Sequence, residues 1–564
     1  MIKNIENILK EIFIKCGYNV SSVRVIKSNR PDLCDLQCDD VFKLSKEYHK
    51  NPMEIGENIV SCINDMTDFD NYFKKVDFCK PGFINITLSN IFINKMVRNM
   101  IDNLSFDIEP VKKETFVVDF GGANVAKPLH VGHMRTILVG ESISRLLKFM
   151  GHNVITDVHL GDYGLQIGEV IYAILEDKLN IDDIDIKYLD EAYPRMSRII
   201  KEDEVIKEKC ATITKELQDG NSLYRKLWKK ILEVSKEDIK KNYDYLGAHF
   251  DYWYGESDSY SYLDETSKIF EDKNLLYESE GALVVDVSST EDKKELPPLL
   301  FKKSNGAYLY ASTDLATILQ RKKDFNPDHI FYVVDNRQGL HFEQVFRASD
   351  KAGIMPKSSL EHLAYGTVNG SDGKPYKTRN GDNPKLENLF NDAKEIFISK
   401  KESNKDMSDS DVSKIVNSIL KFADLINSRE KDYIFDLNKF SDVSGKTGPY
   451  ILYTYLRINK IIKDNEISNA LTDNIYNDID RNLRLSILDM NQAIMSAYNT
   501  RMPSYIAEYV YNLCVECNIF YQNNHINGME NEQEKSDYIQ VLKLANRVIE
   551  KMLYLLGIEI PTIM

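Results

Sequence analysis

The chain has no long apolar run. No stretch approaches the ~20 apolar residues that a membrane span needs, and the N-terminus lacks the basic-then-apolar profile of a secretory signal. A soluble, cytoplasmic protein with no membrane partner is therefore expected. Cysteine is thin: 8 residues, at positions 16, 34, 38, 62, 79, 210, 514 and 517, are scattered through 564. That usage suits a reducing compartment better than a disulfide framework. Cys514-Val515-Glu516-Cys517 has no second pair elsewhere, so the two read as core residues and no structural metal is expected. Basic charge is also short, with 72 Lys and Arg against 87 Asp and Glu, a net −15. This argues against a chain that coats DNA. It leaves room for another nucleic-acid partner, because a local basic stripe acts within a Debye length of about 8 Å at physiological salt.

The length and a hydrophobic content of 43% exceed what one core needs, so about three domains are expected. Residues 1–110 read as a small α+β domain. A helix is expected over Ile2 to Cys16, with Ile5, Ile8, Leu9, Ile12 and Phe13 on one face, then a strand at Val23–Ile26 and a helix over Pro52–Ile63. Lys80-Pro81-Gly82 reads as a turn before an alternating strand to Leu88. Arg24, Lys27, Arg30, Lys74, Lys75 and Lys80 make a basic face or plain solvated surface.

The stretch around which the rest is organised runs from Phe116 to Gly168. Phe116–Phe120 is short, apolar and β-branched, a buried-strand pattern. A glycine-bearing loop, Gly121 to Pro128, leads to Leu129-His130-Val131-Gly132-His133. Met134, Ile137, Leu138, Leu146, Leu147 and Met150 then recur at helical steps, with Gly151 where a C-terminal cap belongs. A second strand over Asn153–Val158 leads to Leu160–Gly168. The N–H groups of such a helix N-terminus favour an anion such as a nucleotide phosphate. Gly132 would let a flat base lie against the backbone, and His130 and His133 would hydrogen-bond phosphoryl oxygens. The alternatives are a metal pair or two surface histidines, and zinc would need ligands that no nearby spacing supplies.

A charged helical insertion spans about 180–290, and Leu246–Ser257 returns the chain to the sheet. Ser304-Asn305-Gly306 marks a hairpin between Leu299–Lys303 and Ala307–Tyr310. Tyr310–Asp314 leads into a helix from about Leu315, with Asp314 available as a cap or first-turn acid. Strands at Ile330–Val334 and His362–Val368 flank a helix over His341–Ala352, giving a second strand–helix–strand half. Two such halves make a Rossmann-like, doubly wound parallel sheet, with ligands at the carboxyl ends of its strands. The glycine loops, both histidines and Gln338 would converge there with the loop 369–381, whose Lys374, Lys377 and Arg379 suit phosphate. From about Asp409 the pattern turns helical and aromatic. Tyr450, Tyr455 and Arg457, on a long helix opened by Thr447-Gly448-Pro449, suit base stacking or core packing.

Together these motifs resemble the arginyl-tRNA synthetase family of class I aminoacyl-tRNA synthetases, over nearly the whole chain. Asn124 to Arg135 is similar to that family's form of the "HIGH" signature, and Leu160–Gly168 to its second fingerprint. Tyr310–Asp314, Asp335-Asn336 with Gln338, and Lys374–Gly381 follow in the family's order. The resemblance implies a multidomain α/β protein: an α+β tRNA-elbow domain over 1–110, a catalytic domain over 111–395, and an all-α helical-bundle anticodon domain over 396–564. It implies a monomer that joins L-arginine to tRNA(Arg) at the expense of Mg2+-ATP. By the resemblance, Asn124, His133, Tyr310, Asp314 and Gln338 hold arginine. His130, Gly132, His133, Thr367 and Val368 hold ATP, while Lys127, His130, His133, Lys374, Lys377 and Arg379 serve catalysis. Tyr450, Tyr455 and Arg457 contact tRNA. The second class signature, Lys-Met-Ser-Lys-Ser, is absent, and Lys374–Arg379 stands in its place, with Lys127 expected to supply part of the missing charge. Val158 departs from the family's usual asparagine and is assigned no substrate contact. The competing expectations are a synthetase for another amino acid and a catalytically idle tRNA-binding paralogue.

Overall fold

The computed structural model describes residues 1–103, 108, 110–294, 296–303, 307–370, 372–374, 385–400, 407–465 and 470–564. The chain forms two compact units: residues 1–109, 451–496 and 508–552 make one, and residues 110–450, 497–507 and 553–564 the other.

The first unit carries a four-stranded antiparallel sheet of β1 (Val25–Lys27), β2 (Leu36–Cys38), β3 (Phe73–Cys79) and β4 (Phe83–Leu88), in the order β1-β2-β4-β3. Helix Ile2–Lys15 buries Ile5, Leu9, Ile12 and Phe13, the face that the periodicity marks. Helix Pro52–Asn64 starts where Asn51 accepts a hydrogen bond from the Met53 N–H, with Pro52 in the first turn, where its missing N–H costs nothing. The sulfurs of Cys16 and Cys62 lie beside each other, and the other six cysteines are free. Cys514 and Cys517 are buried core residues. Helix Asp478–Leu488 docks in the same unit through two arginines. Arg481 meets Asp35 at 2.9 and 2.7 Å, and the buried Arg484 bonds Asp480 at 2.7 Å and Asn94 at 2.5 Å.

The second unit contains β5 (Thr115–Asp119), β6 (Asn153–Asp157), β7 (Leu276–Ser279), β8 (Ala282–Val285), β9 (Leu299–Lys303), β10 (His329–Tyr332), β11 (Leu360–His362), β12 (Val368–Asn369) and β13 (Tyr433–Ile434). Its central sheet is parallel throughout, in the order β11-β10-β5-β6. The chain order therefore reverses between β5 and β10, the place where doubly wound sheets open a ligand crevice. The Leu246–Ser257 stretch does return to the sheet, through parallel bridges Asp157–Tyr252 and Leu160–Gly255. Between β6 and that return stand the helices Leu165–Glu176, Ile186–Glu202, Glu204–Gln218 and Ser222–Tyr245. The β7-β8-β9 sheet is antiparallel, and residues 304–306 of the expected hairpin lie outside the described residues.

Two expectations change in this unit. Helix Tyr310–Phe325 begins at Tyr310, not near Leu315, so Asp314 stands in its second turn and caps nothing. The expected strand His362–Val368 is broken: β11 stops at His362, and β12 pairs instead with β13. Side chains take the carbonyls between them. Arg429 donates to Ala364 O at 2.5 Å and Arg135 to Gly366 O at 2.8 Å on the open edge of the strand, while toward β10 the Leu363 N–H still donates to Tyr332 O at 2.8 Å and the Tyr365 N–H to Val334 O at 3.3 Å.

Candidate functional site

The loop after β5 is held from both sides. Val125 N–H donates to Gly161 O at 2.9 Å, Gly161 N–H to Ala123 O at 3.0 Å, and Ala126 N–H to Ser235 Oγ at 3.0 Å. Ala126 has φ +66°, a strained value for a residue with a Cβ. Asn124 is exposed in this loop. Gly161 lies close against it, and a Cβ there would come within 2.3 Å of Asn124 Oδ1 and turn that side chain aside.

His130 and His133 form the cap of helix Val131–Phe149. The Gly132 N–H donates to His130 Nδ1 at 3.1 Å, and the His130 N–H donates to His133 Nδ1 at 3.2 Å. This is the reciprocal geometry of a capping box, with two imidazoles in place of the usual hydroxyl and carboxylate. Each Nδ1 accepts, so each proton sits on Nε2, leaving two neutral N–H donors. Burial pulls the His133 pKa down to about 3, helped by His130 and Lys127, and burial with Lys127 also lowers that of His130. The rings lie 4.0 Å apart. Lys127, half-buried, brings the positive charge that the neutral imidazoles lack. A Cβ on Gly132 would come within 2.8 Å of the His130 ring, so glycine is required by the cap itself.

Beside His130 the chain returns after the loop that follows β12. Lys385 bridges His130 in antiparallel fashion, and Leu386 N–H donates to Leu129 O at 3.0 Å. Lys374 is exposed, with its N–H on Asp372 Oδ1 at 3.1 Å, whereas Lys377 and Arg379 lie outside the described residues. The Thr367 N–H donates to Asp432 Oδ1 at 2.7 Å, and Val368 is buried in β12.

Across the crevice, Tyr310 is 68% exposed and Gln338, in the short turn after β10, is exposed too. Asp314 is not waiting empty: its Oδ2 lies 2.5 Å from His341 Nε2. Burial lowers the His341 pKa, but the hydrogen bond and charge of Asp314 outweigh it and leave the imidazole raised. The sequence reading missed His341 and also Glu256. Burial lifts the Glu256 pKa to about 7, with Asp162 and Asp314 adding to the rise and His159 opposing it; burial of its hydroxyl, then Glu256 and Asp314, raise that of Tyr310. A raised carboxyl of this kind, beside other carboxylates, is ionised more readily by a nearby cation. Only the break in helical pattern at Gly255-Glu256 hinted at this in the sequence. Beneath them the fully buried Arg321 joins Asp119 at 2.8 Å and Asp157 at 2.7 Å, tying the carboxyl ends of β5 and β6 to helix Tyr310–Phe325. Val158 is fully buried.

Tyr450, Tyr455 and Arg457 lie on helix Gly448–Asp464, all half-buried. Arg457 stacks 4.3 Å from the Tyr521 ring centre, and Tyr453 is the more open tyrosine, at 47% exposed. Among the described residues no three His, Cys, Asp or Glu side chains gather into a metal-binding group. No helix there is long and apolar enough to cross a membrane.

Three family models match in succession: the arginyl tRNA synthetase N terminal domain over residues 1–88, the catalytic domain of class I (R) tRNA synthetases over 96–437, and the DALR anticodon binding domain over 451–564. The arginine–tRNA ligase of Agathobacter rectalis is 40% identical over 598 residues, covering 99% of this chain and 100% of its own. That of Alkaliphilus oremlandii is 38% identical over 585 residues, covering 100% and 99%. Among solved structures, arginyl-tRNA synthetase from Plasmodium falciparum matches with a TM-score of 0.82 at 26% identity, covering 100% of this chain and 99% of that one. The Thermus thermophilus enzyme matches in fold with a TM-score of 0.84 at 22% identity over the full length of both.

Proposed function

The chain belongs to the arginyl-tRNA synthetases, class I enzymes that charge tRNA(Arg) with arginine for protein synthesis, and we propose which of its residues perform each part of that ATP-dependent reaction. The arginine carboxylate attacks the α-phosphate of ATP, pyrophosphate leaves, and the 2′-hydroxyl of the terminal adenosine of tRNA then attacks the activated carbonyl and releases AMP. No enzyme nucleophile is needed; position and charge stabilisation carry both steps.

The observation that carries the assignment is the pair of imidazoles locked through Nδ1. Their Nε2–H groups are fixed donors that need no reorientation as charge grows on the phosphoryl oxygens. Lys127 supplies the cation, aided by Lys374, Lys377 and Arg379, and Gly132, Thr367 and Val368 border the nucleotide. Magnesium accompanies ATP on its phosphates. Asn124, His133, Tyr310, Asp314 and Gln338 receive arginine, and Glu256 joins them: two carboxylates match a guanidinium with five N–H donors. Lysine would leave part of that pattern unpaired. The division into domains at 1–110, 111–395 and 396–564, tRNA contacts at Tyr450, Tyr455 and Arg457, and a cytoplasmic monomer complete the reading.

Arginine-dependent ATP–pyrophosphate exchange, run with and without tRNA(Arg), tests it. Exchange that needs the tRNA supports a site completed by tRNA. Exchange without tRNA keeps the residue assignments and removes that requirement. No exchange from folded protein under either condition overturns the assignments.

A further inference from the structure

Arg135 touches none of the groups assigned to substrate, yet it is buried among several segments of the same unit. It stands two residues beyond His133, 1% exposed, with Nε 3.0 Å from Oδ2 of the fully buried Asp424 on helix Asp409–Leu425. Nη1 donates to Gly366 O at 2.8 Å and Lys431 O at 2.9 Å, and Nη2 to Ser428 O at 3.4 Å. Its guanidinium carbon lies 5.0 Å from the ring centre of Tyr433 in β13. One planar fork thus holds three segments to the first turns of helix Val131–Phe149: helix Asp409–Leu425, the stretch 428–433, and the stretch that enters β12. The fit is close, since a Cβ on Gly366 would come within 2.6 Å of the Lys431 backbone.

Burying an ion pair gains little stability over an apolar pair of the same size, so its use here calls for another reason. The direction of the contacts supplies one. The backbone that carries His130 and His133 and the backbone that leads through Val368 to Lys374 have no other buried charge joining them among the described residues. The arginine side of the crevice rests on a different one, Arg321 with Asp119 and Asp157. We propose that Arg135, seated by Asp424, is a positioning residue that keeps the two nucleotide-facing segments, His130–His133 and Thr367–Asn369, in register. This rests on the nucleotide-side reading given above.

The test uses full-length Asp424→Asn and Arg135→Lys proteins beside His130→Asn, in tRNA-supported pyrophosphate exchange, with KM for ATP and for arginine measured separately and folding followed by thermal melting. Asp424→Asn keeps the shape and removes the charge; Arg135→Lys keeps the charge and removes the fork. The expected result is an ATP KM raised about tenfold in both, with arginine KM within about twofold of wild type. Equal rises in both constants, no rise from folded protein, or failure of both variants to fold would make the pair architectural and overturn the proposal. If His130→Asn moves the ATP constant and the Arg135 and Asp424 variants do not, the nucleotide-side reading survives alone. If none of the three moves it, both fall.

Discussion

Asp314 Oδ2 and His341 Nε2 lie 2.5 Å apart, so the carboxylate proposed to receive a guanidinium is held by an imidazole that the same contact makes more basic. Arginine must share or displace that partner. Near the incoming cation His341 loses its proton more readily, and Glu256, whose pKa is about 7, ionises more readily. Both changes release protons on binding, so arginine affinity rises with pH until both groups are deprotonated in the free enzyme. KM for arginine should fall between pH 6 and pH 8, by up to about tenfold per unit for each fully linked group. His341→Gln should flatten the profile. A pH-independent arginine KM in the unaltered enzyme would remove the linkage.

The carboxylate itself admits a sharper test. Asp314→Asn keeps the shape and a hydrogen-bond acceptor but loses the charge. Unpairing a desolvated guanidinium costs about 3 kcal/mol, roughly two orders of magnitude in kcat/KM for arginine. ATP binding should hardly change, because Asp314 belongs to helix Tyr310–Phe325 and the nucleotide segments do not. Normal charging by the Asp314→Asn enzyme would show that the guanidinium lies elsewhere.

Much of this geometry was legible from the residues alone, for a definite reason. β5, β6 and β10 are short β-branched runs, and the helix after His130 repeats its apolar residues at helical steps, so local pattern suffices there. What pattern could not give is pairing over distance. His341 and Asp314 are 27 residues apart, and Arg321 reaches Asp119 across 202 and Asp157 across 164. Asp314 read alone looked like a cap because nothing local shows that the helix starts at Tyr310. The stretch 362–368 read as one strand because its apolar pattern is continuous. Past His362 the pairing with β10 thins to single contacts, and Arg429 and Arg135, both far away in sequence, hold Ala364 O and Gly366 O on the other edge.

Arg321 allows a stability prediction. It is fully buried between two carboxylates, so Arg321→Met leaves Asp119 and Asp157 without their counter-charge. Breaking one side of such a buried pair costs about 3–5 kcal/mol. Asp119 is already raised by burial against the pull of Arg321, so without the guanidinium it should take up a proton. Denaturant unfolding should therefore show a large loss at pH 8 that shrinks toward pH 5. A loss independent of pH would point to packing alone.

Lys127 separates chemistry from binding. It is the cation beside the two imidazoles, whose pKa values it helps to lower, and it is the charge proposed to act on the departing pyrophosphate. Lys127→Ala should slow adenylate formation by about two orders of magnitude, the scale for losing one preorganised stabilising group. The dissociation constant for tRNA, measured by filter binding, should stay within about threefold, a shift of well under 1 kcal/mol. Gly132→Ala makes the matching geometric test, since its Cβ would push the His130 ring off the Gly132 N–H at a cap cost of about 1 kcal/mol. If the lysine variant loses tRNA affinity and rate together, Lys127 is a tRNA contact. If the rate alone collapses, the charge acts on the phosphates.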